Sequence, residues 1–214
     1  MEIKNIIFDF DGTLADTGPV IIATMFATFK ELGLPAPSRE KCKSTIGLRL
    51  QDIPSKLFPD MEGLGEIYTK TYQRLFEEYN TPGAIVAFNG VLETLMALKN
   101  KGFNLAIASS RHKISLEDIV TSLNMSDLFD MIIGGDNVKN GKPSPEPVFT
   151  ITDSMGWRPD ETLVVGDAGV DILMGKSAGC MTCGVTYGNG TIDELNDAGA
   201  DYVIGSFAEL QNVH

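Results

Sequence analysis

The 214-residue sequence predicts an α/β fold, in which a parallel sheet carries helices on both faces and a helical cap is inserted after the first strand. Apolar runs bounded by turn residues recur along the chain, and segments with the helical spacing of apolar residues lie between most of them. This alternation is typical of right-handed βαβ units, so we expect a Rossmann-like core.

The predicted strands are the apolar runs at residues 3–8, 103–108, 130–133, 162–166, 181–185 and 201–204. Helical spacing of Leu92, Leu95 and Met96 places a crossover helix within residues 89–101.

The cap is predicted from the long interval between the first two strands. Roughly 65 residues there are not needed for the crossover helix, and a compact domain would not leave them as loop. Ile22, Phe26 and Phe29 follow helical spacing within this interval. We therefore expect a helical cap at residues 17–83 and a core formed by residues 1–16 and 84–214.

Composition excludes some functions. A net charge of −12 argues against non-specific binding to nucleic acid or anionic lipid. No apolar stretch reaches the ~18 residues that a membrane span needs, and residues 1–4 do not resemble a signal peptide. A cytoplasmic protein with no membrane or nucleic-acid partner is expected. The oligomeric state stays open, and a monomer is compatible with the sequence.

The cysteines predict little chemistry. Cys42, Cys180 and Cys183 cannot all pair within the chain, which suits a reducing compartment. Cys180 and Cys183 have the spacing of a redox or zinc motif, but no second cysteine pair follows. Ordinary packing is the expected role.

Two acidic residues at the end of the first strand pose an electrostatic problem. Asp9 and Asp11 directly follow an apolar run. They are two residues apart, so their side chains would lie on the same face of an extended strand. At an effective dielectric constant near 20, two carboxylates about 4 Å apart repel by roughly 4 kcal/mol. The pair therefore needs a cation, a shared proton or solvent, and Gly12 allows a sharp turn and the close approach of a ligand.

Polar residues also follow the other strands. Ligands of open α/β sheets bind beyond the carboxyl ends of the strands. Ser109 follows the second predicted strand, Asp167 follows the fourth, and Lys142 lies in the loop before a helix. These groups suit phosphate or a metal ion.

Four motifs together resemble a known family. Asp9-Phe-Asp-Gly-Thr, Ser109, Lys142-Pro143 and Gly166-Asp-Ala-Gly-Val-Asp171 are similar, in order, to the four motifs of the haloacid dehalogenase-like phosphohydrolases. The resemblance spans nearly the whole chain, and the cap falls where that family's phosphatases carry one. Residues 142–147 and 199–204 look most like the phosphoglycolate phosphatase branch.

The resemblance implies a Mg²⁺-dependent phosphatase that acts on a small phosphomonoester, either phosphoglycolate-like or a sugar phosphate. Asp9 would attack phosphorus and form an aspartyl-phosphate, and Asp11 would transfer protons. Mg²⁺ would be held by Asp9, the backbone carbonyl of Asp11 and Asp167. Asp171 would orient these ligands without binding the ion itself. Lys142 would add positive charge beside the nucleophile.

The substrate-binding group follows from the same resemblance. The hydroxyl of Ser109 would bind phosphate oxygens, together with the Gly12–Thr13 segment and Ser110. In the cap, Arg49 is the candidate specificity residue, because it can pair with a second anionic group. An exposed arginine without a substrate contact is an equally compatible interpretation.

Two other functions stay open at this point. A sugar phosphomutase of the β-phosphoglucomutase type shares these motifs, but such mutases usually carry a histidine shortly after the first motif, and residues 17–20 contain none. A catalytically silent binding protein would be expected to lack Asp9, Asp11 or Lys142, and all three are present.

Overall fold

A six-stranded parallel sheet with strand β1 at its centre forms the core of the structure, a computed structural model that describes residues 2–213. The strands are β1 (Asn5–Phe8), β2 (Ala15–Asp16), β3 (Val86–Ala87), β4 (Asn104–Ala108), β5 (Met131–Ile133), β6 (Thr162–Gly166), β7 (Met181–Val185) and β8 (Tyr202–Ile204). The large sheet has the order β5-β4-β1-β6-β7-β8, and β2 pairs with β3 in a separate ribbon.

The helices surround this sheet and form the insertion. They are α1 (Gly18–Glu31), α2 (Arg39–Lys43), α3 (Ile53–Leu57), α4 (Gly65–Tyr79), α5 (Val91–Asn100), α6 (Lys113–Ser122), α7 (Glu146–Met155), α8 (Gly169–Ser177) and α9 (Ile192–Asp197). Short 3₁₀ segments occupy Leu50–Asp52, Ser126–Leu128, Pro159–Glu161 and Phe207–Asn212.

Helices cover both faces of the sheet, because the strands carry apolar side chains on both faces. On β1, Ile6 and Phe8 join a cluster with α5, α6 and the C-terminal 3₁₀ helix, whereas Ile7 joins a cluster with α7 and α8. Alternate residues of a strand point to opposite faces, so a strand covered twice must be apolar throughout. The predicted parallel α/β core is confirmed, and the six predicted strands agree with the observed ones to within two residues.

The insertion after β1 is helical, and helices α1 to α4 all lie between β2 and β3. Aromatic contacts join its two long helices, with the rings of Phe29 and Tyr68 at a centroid distance of 5.6 Å. The chain enters and leaves through the ribbon, where Ala15 pairs with Ala87 and Asp16 with Val86. Two-residue strands carry no periodic signal, which is why the sequence predicted only linkers here. The proposed limits of the cap, 17–83, stay a prediction.

The three cysteines are free and buried. Cys180 and Cys183 belong to apolar clusters on opposite faces of the sheet, so they cannot pair with each other. Burial raises the pKa of both thiols to about 12. Within residues 2–213, no helix is long and apolar enough to cross a membrane.

We expect Leu95→Ala to lower the free energy of unfolding by about 2–5 kcal/mol, because its side chain is fully buried between α5 and the sheet. Met96→Ala is the matched control: this neighbouring side chain is 49% exposed, and its loss should cost less than about 0.5 kcal/mol. Urea denaturation monitored by circular dichroism measures both values. Equal losses would contradict the assigned face of α5.

Candidate active site

Three buried carboxylates meet at the carboxyl ends of neighbouring strands. β1 pairs with β6, with Phe8 opposite Val165, so the residues that follow these strands lie side by side. The amide of Asp9 donates to the Val165 carbonyl at 2.8 Å, which continues the ladder. Asp9 and Asp167 are each 3% exposed. Asp171, in the first turn of α8, lies on the same side and is 2% exposed.

Lys142 joins this cluster from the loop before α7. Its ammonium donates to a carboxylate oxygen of Asp9 and to Oδ1 of Asp171 at 2.6 Å, and its side chain is only 2% exposed. Burial alone would lower the pKa of Lys142, but the charges of Asp171 and Asp9 outweigh it and hold the pKa above its usual value. The lysine is therefore charged, and it screens the two carboxylates from each other.

The cluster still carries excess negative charge. Carboxylate oxygens of Asp9, Asp167 and Asp171 lie within 4.8 Å of one another. Three carboxylates and one ammonium leave a charge of −2 when all are ionised. Burial raises the pKa of Asp9 well above its usual value, and burial together with Asp171 raises the pKa of Asp167 to about 7. Oxygen ligands with this charge fit a divalent cation such as Mg²⁺.

The loop after β1 supports the cluster at close range. Thr13 is fully buried, and its hydroxyl lies 3.3 Å from Asp9 Oδ2 and 3.5 Å from Asp167 Oδ1. The Gly12 amide donates to the Ala15 carbonyl at 3.0 Å. Both residues were expected to bind substrate. In this structure the Thr13 hydroxyl lies against the two carboxylates, and the Gly12 amide closes the turn.

A loop after β7 contributes a residue that the sequence analysis missed. The backbone amide of Asn189 donates to Asp167 Oδ2 at 2.5 Å, and the side-chain nitrogen of Asn189 lies 3.5 Å from the backbone carbonyl of Asp11. It therefore orients Asp167 opposite the Thr13 hydroxyl. Gly188-Asn189-Gly190 follows a predicted strand end, and that position was the available signal.

Asp11 points away from the cluster toward Arg111. The guanidinium donates to Asp11 Oδ1 at 2.6 Å and to Oδ2 at 3.3 Å, and the two side chains are only 8% and 11% exposed. The other side of Arg111 lies over the ring of Phe76 from α4, at 4.7 Å from the ring centroid. One buried ion pair thus joins the motif after β1, the motif after β4 and the cap.

The two serines after β4 have different neighbours. The Ser109 hydroxyl accepts a hydrogen bond from the Arg111 amide at 3.1 Å, which shapes the turn after the strand. The Ser110 hydroxyl donates to the Gly47 carbonyl of the cap at 2.6 Å. Ser110 also borders a cavity between cap and core, and Asp9 and Asp11 line the same cavity.

Arg49 lies outside the lining of that cavity. Its terminal nitrogens donate to the carbonyls of Val138 and Lys139 at 2.9 and 2.8 Å, so it ties the cap to the loop that carries Lys142. We expected Arg49 at a second anionic group of the substrate. The structure instead places it on backbone oxygens, while its neighbours Leu48 and Leu50 line the cavity.

Comparison with known proteins identifies the family. The family model described as haloacid dehalogenase-like hydrolase matches residues 6–185. The chain belongs to this family. The matched segment contains all four motifs and the helical insertion.

Its relatives carry phosphatase names. The chain is 36% identical to the phosphoglycolate phosphatase of Aquifex aeolicus, covering 96% of this chain and 93% of that protein. It is 32% identical to the pyrophosphatase PpaX of Halalkalibacterium halodurans, covering 100% and 97%. The crystal structure of a putative haloacid dehalogenase-like hydrolase from Bacteroides fragilis superposes with a TM-score of 0.92 at 28% identity, covering 98% and 100%. The predicted family and its enzyme class, a phosphoric monoester hydrolase, are confirmed.

We expect Gly12→Ala to abolish turnover, because a Cβ at this position would overlap Asp167 Oδ2 and Asn189 Nδ2. Gly102→Ala is the matched control: Gly102 also has a positive φ, of +88° against +95°, but a Cβ there meets nothing within 4 Å. Backbone strain of about 1–2 kcal/mol is common to both variants. Phosphate release and thermal melting separate the two effects, and equal activities would contradict the close packing at Gly12.

Proposed function

We propose that this protein is a Mg²⁺-dependent phosphomonoesterase in which Asp9 is the nucleophile. The observation that carries the proposal is the contact between Asp9 and the buried Lys142 within the acidic cluster at the end of β1. A carboxylate is a weak nucleophile toward a phosphate dianion, because the two repel each other. Positive charge fixed beside the carboxylate reduces that repulsion without reorganisation during the reaction.

The first displacement forms a bond between an Asp9 oxygen and phosphorus and breaks the bond from phosphorus to the ester oxygen. Asp11 donates a proton to the departing oxygen, so the product leaves as an alcohol. In the second displacement, water attacks the aspartyl-phosphate while Asp11 takes up a proton. Inorganic phosphate leaves, and the Asp9 carboxylate is restored.

The surrounding residues prepare these steps. Lys142 stays charged between Asp9 and Asp171, and Asp171 positions it. Asp9, the Asp11 backbone carbonyl and Asp167 would hold Mg²⁺, with Asp171 as a further carboxylate at the same site. When bound, the ion would neutralise phosphoryl charge and orient its oxygens.

The named relatives agree with this class of reaction. One is a phosphoglycolate phosphatase and another a pyrophosphatase, and both names denote hydrolysis at phosphorus of a small molecule. We therefore propose a small phosphorylated metabolite as the substrate.

We expect Asp9→Asn to reduce phosphate release from p-nitrophenyl phosphate at least a thousandfold, because the amide cannot form the acyl-phosphate bond. Asp153→Asn is the matched control, since Asp153 is exposed on α7 away from the cluster. The assay measures inorganic phosphate with Mg²⁺, after EDTA treatment, and after Mg²⁺ is restored. Chelation should stop turnover of the unaltered chain and Mg²⁺ should restore it.

Two results would reject this proposal. Full activity of Asp9→Asn would exclude Asp9 as the nucleophile, and full activity after chelation would exclude the metal requirement. An unaltered chain that binds phosphate esters without hydrolysing any of them would instead be the silent binding protein.

We expect Arg111→Lys to slow hydrolysis of an alkyl phosphate by about ten- to a hundredfold, because lysine keeps the charge but cannot hold both oxygens of Asp11. Hydrolysis of p-nitrophenyl phosphate should fall much less, since p-nitrophenolate leaves without needing a proton. The measurement is kcat/KM for both esters, because this constant covers only the first displacement, whereas kcat also includes the second displacement, which is the same for either ester.

Arg158→Lys is its control, because Arg158 forms an exposed ion pair with Asp160. A general loss of folding in Arg111→Lys would slow both esters equally. That outcome would contradict a role for Arg111 in positioning the proton-transfer group.

A further inference from the structure

We infer that the leaving group of the natural substrate is an uncharged, largely apolar alcohol. The inference rests on the proposed function and concerns the cavity between cap and core. By this inference, the natural substrate differs from phosphoglycolate and pyrophosphate, which both carry a second anionic group.

The cavity encloses about 390 Å³ and opens onto Asp9 and Asp11. A phosphoryl group beside Asp9 would therefore direct its ester oxygen and carbon chain into this space. Much of the lining comes from apolar side chains of the cap. They include Ile21, Met25, Leu50, Ile53, Tyr72 and Phe76.

The basic side chains of the lining already have partners. Among the described residues that border the cavity, the only basic side chains are Arg111 and His112. Arg111 makes a two-point contact with Asp11 and is covered by Phe76. His112 lies 3.3 Å from the carboxylate of Asp136. Neither side chain is free to pair with a carboxylate or a second phosphate of the substrate.

Acidic side chains make the cavity still less suited to an anion. Glu77 and Asp118 border it, and both are exposed. Arg49 could have supplied the missing charge, but its guanidinium is held by two backbone carbonyls outside the lining. A second anionic group would enter without a partner and would be repelled, whereas an apolar chain would replace water against apolar side chains.

Three esters of similar length test this inference. Pentyl phosphate has an uncharged chain, 4-phosphonooxybutanoate ends in a carboxylate, and 4-aminobutyl phosphate ends in an ammonium group. We expect kcat/KM for pentyl phosphate to exceed that of each charged ester at least tenfold. From ethyl to pentyl phosphate, kcat/KM should rise by about fourfold for each methylene that enters the cavity.

Variants then test whether this cavity determines which ester the protein prefers. Leu50→Arg adds a cation to the lining, and it should raise the ratio of kcat/KM for the carboxylate ester to that for pentyl phosphate at least tenfold. Ile67→Arg is the control, because Ile67 is 51% exposed on α4 and does not border the cavity. Should Leu50→Arg not fold, Glu77→Lys places a cation at an exposed lining position and should shift the ratio in the same direction.

The outcomes distinguish failure of this inference from failure of the proposed function. Equal or better turnover of a charged ester would overturn the inference, as would an unchanged ratio in the folded cavity variant; phosphatase activity would still stand. No hydrolysis of any ester, p-nitrophenyl phosphate included, would overturn the proposed function and this inference with it.

Discussion

Buried negative charge at the carboxyl end of β1 is the constraint on which the rest of the site depends. Asp9, Asp167 and Asp171 lie almost completely out of solvent, where an unpaired carboxylate is costly. Lys142 compensates part of this charge. The hydroxyl of Thr13 and amide hydrogens satisfy other carboxylate oxygens. These partners come from separate loops, so the cluster exists only when the parallel sheet is assembled in register.

The backbone is closely packed around the same cluster. Gly12 leaves no room for a Cβ beside Asp167, and Gly188 would meet the Gly12 carbonyl in the same way. The two loops thereby approach each other through backbone atoms, and Asn189 contacts both Asp167 and the carbonyl of Asp11. A site for a small, hard cation requires oxygen atoms that lie close together.

The cap is tied to the same charges. Arg111 orients Asp11 while lying against Phe76, so the proposed proton-transfer group depends on the position of α4. Arg49 and the Gly47 carbonyl bind the cap to the core through two further contacts. Since Arg111 is paired with Asp11 and Arg49 is held outside the cavity, no arginine among the described lining residues is left unpaired, and much of the lining is apolar. The ion pairs that order the site therefore also determine which charged groups remain in the cavity.

The sequence by itself determined the parallel sheet, the helical insertion and the family, because apolar periodicity and motif order are properties of the chain alone. It also indicated Asp9 and Asp167, since residues that follow parallel strands meet at one edge, and it indicated Lys142 through the resemblance of its motif. It could not show that Arg49 binds backbone carbonyls, that Arg111 pairs with Asp11, or that Asn189 orients Asp167. Those partners are separated by 22 to 100 residues along the chain. Only the tertiary structure decided them, because which polar groups pair depends on which loops the packed sheet and cap bring within hydrogen-bonding distance.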